Sequence, residues 1–503
     1  MRKNMKLEKL LERIDYEILQ GSIQTEIDAL VYDSRSPKNN SVFICIQGIN
    51  FDGHDYIEDM AKQGSVAVIV EKRVDIPEGM TGILVSNTRQ ALAKMSAAYF
   101  GYPAQKLTMI GITGTKGKTT TSYMIYSILK QAGNSVGLIG TVEVRINNRA
   151  IEAEHTTPES YILQQYLYEM EQAGVKYVVM EVSSQGLKLD RVCGIEFDYG
   201  VFMNIEPDHI GKGEHPDFED YLKCKSLLFS RCKVGIFNAE DSHLSQILEG
   251  HTCSVETFGT YPDADFVAEE INLHQEKGSL GVSYQVKGTV NFDVMVDIPG
   301  KFSVFNSLAA IAVCSHFSIT NEIIKNALAT VRVKGRVERI PISLEFSLII
   351  DYAHNAMSLR SLLTTLRQYQ PNRLICLFGC GGNRSKDRRY EMGEVSSKIA
   401  DLTVVTSDNP RFEEPLAIIE DILIGVKRAN GAYISIPDRK EAIRYCICNA
   451  QKGDLIVLAG KGHESYQEIC GIKYPMDERQ LIREVIEEMS EKERKEKLIQ
   501  FQL

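Results

Sequence analysis

The chain has 503 residues, 44% hydrophobic and 25% charged, with a formal net charge of −10 at pH 7. That length exceeds one hydrophobic core and implies about three units of ordinary globular composition. The acidic balance and the lack of a long Lys/Arg block argue against nucleic-acid binding, and no apolar run reaches the roughly 18 residues of a membrane span.

No secretory leader is expected, because residues 1–19 mix Lys, Glu and Arg through every turn. The 11 cysteines are scattered without a Cys-x-x-Cys pair, and Cys376, Cys446 and Cys448 sit in apolar runs as core filling. A reduced, cytoplasmic protein is expected, as a monomer.

The first hundred residues read as a small α/β unit. A helix-like start over 6–18 is followed by apolar runs at 41–46 and 65–71, punctuated by Gly48, Asp52 and Gly53. Gly101-Tyr102-Pro103 reads as the linker out of it. Next comes an apolar run, 107–112, then Gly114-Thr115-Lys116-Gly117-Lys118-Thr119-Thr120, then a helix-like pattern over 122–130. Strand, Gly-rich turn and helix start make a phosphate cradle, in which N–H groups and the positive helix end face an anion. Lys118 can reach terminal phosphates and the Thr119 hydroxyl can hold Mg²⁺. Ile112 stands where the strict pattern has Gly, so the P-loop is atypical.

Further apolar runs at 176–182, 199–205 and 234–238 alternate with helix-like segments such as 160–173 and 221–232, which predicts a parallel sheet covered on both faces. The runs end in polar residues: Glu181-Val182-Ser183-Ser184, then Asn204, Asp208 and His209, then Asn238. Ligands of open α/β sheets bind beyond such strand ends. From about 336 the logic repeats, with runs at 347–352, 373–378, 402–406, 432–436 and 454–458. They end at Asp351 and His354, at 379–384, at 408–411, at Asp438-Arg439 and at 460–464. This second nucleotide-binding-like sheet has no P-loop. The charged stretch 487–497 reads as a solvated, fraying helix.

Several blocks together resemble the Mur ligases, the ATP-dependent amide-forming enzymes of peptidoglycan assembly. Gly114 to Thr120 is similar to their phosphate loop. His155-Thr156-Thr157-Pro158-Glu159-Ser160 and Glu181-Val182-Ser183-Ser184 resemble central motifs. Gly300-Lys301-Phe302, with Asn306-Ser307-Leu308-Ala309-Ala310, resembles the segment near adenine. Asp351-Tyr352-Ala353-His354, Phe378-Gly379-Cys380-Gly381-Gly382, Asp408-Asn409-Pro410-Arg411 and Gly460-Lys461-Gly462-His463-Glu464 are most similar to members that add meso-diaminopimelate. Asp33-Ser34-Arg35 and Asp52-Gly53-His54 match their N-terminal domain.

The resemblance implies an α/β chain of three domains: a small N-terminal α/β domain for the uridine nucleotide (1–103), a central P-loop ATPase with a parallel sheet (104–335), and a C-terminal Rossmann-like amino-acid domain (336–503). It implies ATP and Mg²⁺ as cofactors, and UDP-N-acetylmuramoyl-L-alanyl-D-glutamate and a diamino acid as partners. The γ-phosphoryl group passes to the D-glutamyl carboxylate, and an amine attacks the resulting acyl phosphate. Cell-wall building, and with it cell shape and division, is the implied setting.

By the same resemblance Lys118, Glu181, His209 and Lys225 are catalytic, Thr119, Glu181 and His209 are metal ligands, and Lys225 is carbamylated. The pattern of Lys followed by Leu-Phe selects Lys225 over Lys223. The loop from Gly114 to Thr120, with Asn306, Arg336 and Asp351, binds the nucleotide, the last two from across a domain boundary. Ser34, Thr156, Thr157, Ser183 and Arg191 hold the muramoyl substrate. Arg389, Asp408, Asn409, Pro410, Arg411, Gly460 and Glu464 hold the amino acid. Taken singly, a strand-end Glu181 is an ordinary surface acid, His209 a turn residue, Lys225 a helix-surface lysine, Arg411 a loop arginine, and each hydroxyl a turn cap.

The chain departs from the family pattern in places. Residues 210–217 form a segment about two residues longer than usual, Gln185 replaces a frequent His, Lys334 replaces Pro before Gly335-Arg336, and Asn355-Ala356 replaces Thr-Pro. Arg411 favours diaminopimelate, whose second carboxylate a guanidinium binds bidentately and which lysine lacks. A lysine-adding or other Mur-type ligase remains the alternative, as do a folate-polyglutamate-type ligase, a small-molecule kinase and a catalytically silent nucleotide-binding paralogue.

Overall fold

The structure, a computed structural model, describes residues 4–211, 213–276 and 279–490. It divides into two compact units, Met1–Asp265 with Ala309–Ile319, and Phe266–Leu308 with Thr320–Leu503. Both are mixed α/β.

Besides a two-stranded sheet, Met5–Lys6 with Glu26–Ile27, the first unit holds two large sheets. One has the order Tyr16–Gln20, Thr81–Val85, Ser65–Val70, Ser41–Ile44, Ala29–Val31, parallel except for its first strand. The helix expected over 6–18 is a correction. Met5–Lys6 is a strand, the helix is only Leu7–Leu11, and Tyr16–Gln20 pairs with Thr81–Val85, Tyr16 opposite Val85. A single helical turn is a poor nucleus, so a waiting sheet edge takes the rest of the segment. Helix Thr88–Phe100 closes this layer. Asn87 caps its start by accepting from the Arg89 and Gln90 amides, and Gly101 ends it at φ 77°.

The other sheet runs Arg149–Glu152, Glu143–Ile146, Val136–Ile139, Tyr177–Glu181, Thr108–Thr113, Phe197–Phe202, Cys232–Asn238, Ser254–Gly259. From Val136–Ile139 onward these strands are parallel, as the apolar runs predict. Thr108–Thr113 lies centrally. The chain leaves it for Val136–Ile139 on one side and later crosses from Tyr177–Glu181 to Phe197–Phe202 on the other. Such a reversal opens a crevice at the carboxyl ends of the strands. The helix expected over 221–232 divides: Asp217 caps Phe218–Ser226, a 3₁₀ turn covers Leu227–Ser230, and Cys232 already belongs to a strand.

In the second unit Phe266–Glu276, Ser279–Gly288 and Phe292–Val296 pair antiparallel. A six-stranded sheet follows in the order Glu338–Ile340, Ser347–Asp351, Leu455–Ala459, Leu374–Phe378, Leu402–Val405, Tyr433–Ser435. It is parallel except at the Glu338–Ile340 edge. A hairpin, Tyr466–Ile469 with Ile472–Pro475, precedes the last described helix, Glu478–Glu488. Of the expected 487–497 helix, residues 491–497 lie outside the described residues. Among the described residues no helix is long and apolar enough to cross a membrane.

Candidate active site

The P-loop is built by two glycines and the neighbouring strand end. Gly114 has φ 151°, and a Cβ there would lie 2.8 Å from Met203 Cβ, so the loop can lie against 203–204 only without a side chain. Gly117, at φ 87°, caps helix Lys118–Gln131, which starts one turn earlier than its apolar pattern suggests. The first N–H groups of that helix are the donors an anion needs. The loop is pinned in advance: Asn204 O accepts from the Thr115 amide at 2.9 Å, and Asn204 Oδ1 from the Lys116 amide at 2.9 Å. Thr115 Oγ1 and Tyr221 OH share a hydrogen bond at 3.0 Å, and Lys116 pairs with Glu206 at 2.7 Å. Lys118 Nζ lies over the loop, donating to Gly114 O at 2.7 Å and Thr115 O at 3.2 Å. Thr120 is buried in the first turn of the helix.

Glu181 ends its strand fully buried. Its Oε2 accepts from Thr119 Oγ1 at 3.0 Å and Thr141 Oγ1 at 2.9 Å, and its Oε1 from the Thr141 amide at 2.9 Å. Gly140 makes this possible, since a Cβ there would be 2.3 Å from Oε1. Thr141 Oγ1 meets Thr156 Oγ1 at 3.0 Å. Thr157 Oγ1 donates to Glu181 O and accepts from the Ser183 amide, both at 3.0 Å, while Arg191 donates to Thr157 O at 2.9 Å and pairs with Glu159 at 2.6 Å. Thr119, Thr156, Thr157, Glu181, Ser183 and Arg191 thus form one connected group. A buried carboxylate ringed by hydroxyl oxygens is the hard donor set that Mg²⁺ prefers.

Lys225 is almost wholly buried. Its Nζ donates to Gly114 O at 3.0 Å and lies 4.5 Å from the Tyr221 ring centroid. Burial first, and the charge of Lys118 second, push its pKa well below that of an ordinary lysine. His209 is mostly exposed at φ 55°, with Nδ1 3.4 Å from Glu214 and Nε2 3.8 Å from Asp208. Lys212 of the long segment lies outside the described residues. The rest of that segment folds back on itself, and the His215 amide donates to His209 O at 3.0 Å. This buries His215 between Ser184 Oγ at 3.0 Å and Asp220 Oδ2 at 2.6 Å. With Cys224, His215 and Asp220 form a close N, O, S group, but both His215 ring nitrogens already have partners. Ser34, in a half-buried turn beside the Asp33–Arg35 ion pair, belongs to the other sheet's region of this unit.

The second unit carries the remaining candidates. Asn306 is buried on helix Phe302–Ser315. Asp351 accepts from the Val337 and Ala353 amides, each at 2.8 Å. Burial raises its pKa, against the pull of Arg336. The Arg336 guanidinium lies 5.0 Å from the Tyr352 ring centroid. Gly335 precedes it because a Cβ there would sit 2.1 Å from the His463 amide.

Lys461, fully buried, donates to Asn409 Oδ1 at 2.9 Å and Glu464 Oε2 at 2.7 Å, while Asn409 Nδ2 donates to the same Glu464 oxygen at 2.9 Å. Gly460, at φ 105°, leaves room for Asp408, whose Oδ2 would be 3.0 Å from a Cβ. Arg411 Nε donates to Glu468 at 3.1 Å. Arg389 is buried and held by Asp421 at 2.9 Å and Glu413 at 2.7 Å. The buried Arg439–Glu478 pair, at 2.8 Å, stands behind the group, and Arg439 donates to Ser407 O and Ala459 O at 3.0 Å each. It ties together the strand ends that carry Asp408 and Gly460. At the departure at 355, Asn355 caps helix Ala356–Arg367 by accepting from the Ser358 amide.

Sequence reasoning missed Thr141, His215, Lys461 and Glu468. Thr141 was within reach, since Val136–Ile139 is one more apolar run ending in polar residues. His215 and Glu468 carry no local signal.

A P-loop on a parallel sheet, an acid at the next strand end and a second parallel sheet define a nucleotide-binding α/β architecture, and the chain belongs to the Mur ligase family. Residues 26–100 match the Mur ligase family catalytic domain, 112–314 the Mur ligase middle domain, and 335–462 the Mur ligase glutamate ligase domain. The chain is 43% identical over 487 residues, 96% of its length and 99% of the relative's, to the UDP-N-acetylmuramoyl-L-alanyl-D-glutamate--2,6-diaminopimelate ligase of Caldanaerobacter subterraneus subsp. tengcongensis. It is 40% identical to the enzyme of that name from Clostridium perfringens, covering 96% of this chain and 100% of that one. A solved structure of a ligase of the same name superposes with TM-score 0.70 at 27% identity, over 96% of this chain and 99% of that one.

Proposed function

We propose that this protein is an ATP-dependent, ADP-forming ligase that joins meso-2,6-diaminopimelate to UDP-N-acetylmuramoyl-L-alanyl-D-glutamate in peptidoglycan precursor synthesis. The observation that carries this reading is the Asp408–Arg411 turn, with its half-buried guanidinium, in a chain 43% identical over almost its full length to a ligase named for 2,6-diaminopimelate. A lysine-adding enzyme would leave that guanidinium facing an ammonium group.

We assign residues 1–103 to the uridine nucleotide, with Ser34 a contact, 104–335 to ATP, and 336–503 to the amino acid. Thr156, Thr157, Ser183 and Arg191 hold the muramoyl dipeptide. The loop from Gly114 to Thr120 is assigned to the ATP phosphates, and Asn306, Arg336 and Asp351 of the second unit are assigned as nucleotide contacts. Thr119 and Glu181 would hold Mg²⁺, with His209 a ligand to a second ion. The metal supplies charge neutralisation among the phosphates.

The D-glutamyl carboxylate oxygen attacks the γ-phosphorus and the bond to ADP breaks. Lys118 and the loop N–H groups stabilise the charge that shifts to the leaving oxygen. The amine nitrogen then attacks the acyl carbon, phosphate leaves and one proton is lost. Burial lowers the pKa of Lys225, which favours the free amine that carbamylation requires. Asp408, Asn409, Pro410, Arg411, Gly460 and Glu464 form the amino-acid site. Arg389 is assigned to its α-carboxylate, in exchange for Glu413. A cytoplasmic monomer fits this reading.

The test is ADP release with the muramoyl dipeptide nucleotide and each candidate amino acid, with the product weighed by mass spectrometry and the acyl phosphate trapped by hydroxylamine. Diaminopimelate-dependent release with a tripeptide product is expected, and release with lysine alone overturns the assignment.

A further inference from the structure

Arg411 is clamped through both its main chain and its side chain. It sits at φ 53°, a left-handed conformation costly for a residue with a Cβ. Its amide donates to Glu468 O at 3.0 Å, and the Cys470 amide donates to Arg411 O at 2.7 Å. The hairpin strand Tyr466–Ile469 is fastened to the same turn by its other residues. The Glu468 amide donates to Asn409 Oδ1 at 2.9 Å, and Gln467 Nε2 to Asp408 O at 2.6 Å. On the side chain, Nε donates to Glu468 Oε2 at 3.1 Å and Nη1 to Gly382 O at 2.7 Å.

The 381–382 turn is shaped for this contact. A Cβ at Gly381 would come within 3.2 Å of Arg411 Nη1, and one at Gly382 within 1.9 Å of Pro410 O. Two of the three guanidinium nitrogens are therefore fixed by the protein. Nη2 has no hydrogen bond among the described residues, so Nη2 and the second hydrogen of Nη1 are left to bind a carboxylate side by side.

We propose that Glu468 is a positioning residue that aims Arg411, and that its hydrogen bond to Nε, with the Gly381-Gly382 turn, sets the preference for a diamino acid bearing a distal carboxylate. This rests on the amino-acid-site reading above. Glu468 does not touch the ligand. It holds the guanidinium plane, because an arginine freed at Nε turns about its last torsions and loses the bidentate geometry.

The experiment uses the full chain with ATP and the muramoyl dipeptide nucleotide, comparing parent, Glu468→Ala, Glu468→Gln and Arg411→Lys. A hydrogen bond to a charged group corresponds to roughly a tenfold effect or more. Glu468→Ala is expected to raise the diaminopimelate KM by about that factor and to narrow the diaminopimelate-to-lysine ratio of kcat/KM by as much, with the ATP KM unchanged. Glu468→Gln keeps an acceptor oxygen and restores part of the ratio, and it stands in if the alanine variant does not fold. If both Glu468 variants keep the parent ratio while Arg411→Lys collapses it, the positioning role is overturned and the amino-acid site stands. If none of the three changes the ratio, the amino-acid site falls too.

Discussion

The two candidate sites are held together by different bonds. In the first unit, main-chain groups and hydroxyls converge on one buried acid, Glu181, and Lys118 and Lys225 both donate to the carbonyl of Gly114. In the second unit the wiring is charge against charge: Lys461 with Glu464, Arg411 with Glu468, Arg439 with Glu478, Arg389 with Glu413 and Asp421. A polyphosphate brings its own charge and needs donors already aimed at it. A zwitterionic amino acid needs fixed charges of both signs, and each must be neutralised and oriented before the ligand arrives.

The comparison can be broken most heavily at the buried pair. Arg439→Met leaves Glu478 buried and uncompensated, and is expected to cost about 3–5 kcal/mol of stability, read as a lower denaturant midpoint. Glu478→Gln, which removes the carboxylate's charge instead, should cost less. Lys118→Ala removes a phosphate donor without disturbing any such pair. It should lower turnover by about 10²–10³-fold, measured as ADP release, with the denaturation midpoint unchanged.

A smaller change sharpens the same contrast at Lys225. Stripping carbon dioxide from the parent enzyme should lower its turnover, and bicarbonate should restore it. Lys225→Ala, already slow, should not respond to bicarbonate. A full bicarbonate response in that variant removes the carbamate from the mechanism.

A further effect concerns pH and the second unit alone. Burial, then the charge of Arg336, lower the His463 pKa from 6.5 to about 4, so the folded chain disfavours the imidazolium. The stability this group contributes is complete above pH 6.5 and is lost as pH falls through 4. The denaturation midpoint should decline over that window, and His463→Gln should flatten the decline.

What was legible in the sequence follows the same division. The P-loop, Glu181 and the parallel strands are local patterns: an apolar run, a glycine turn, a polar strand end. The second site's residues were reached through resemblance, and their wiring was not legible, because Arg411 meets Glu468 across 57 residues and Asn409 meets Lys461 across 52. The hairpin Tyr466–Ile469 with Ile472–Pro475 was not foreseen, because its strands are half-buried or exposed and show no clean alternation. Residues 6–18 misled for a related reason. Their apolar spacing suits a helix, but the deciding partner, Thr81–Val85, lies far along the chain.

The turn that fastens Arg411 contains Cys470, the only exposed thiol among the described residues, while the other cysteines are buried or half-buried. The chain also has no tryptophan. A single maleimide dye would therefore attach at one address, at a residue whose amide donates to Arg411 O, with no tryptophan emission behind it. The protein carries a built-in handle for watching amino-acid binding by fluorescence without engineering a cysteine.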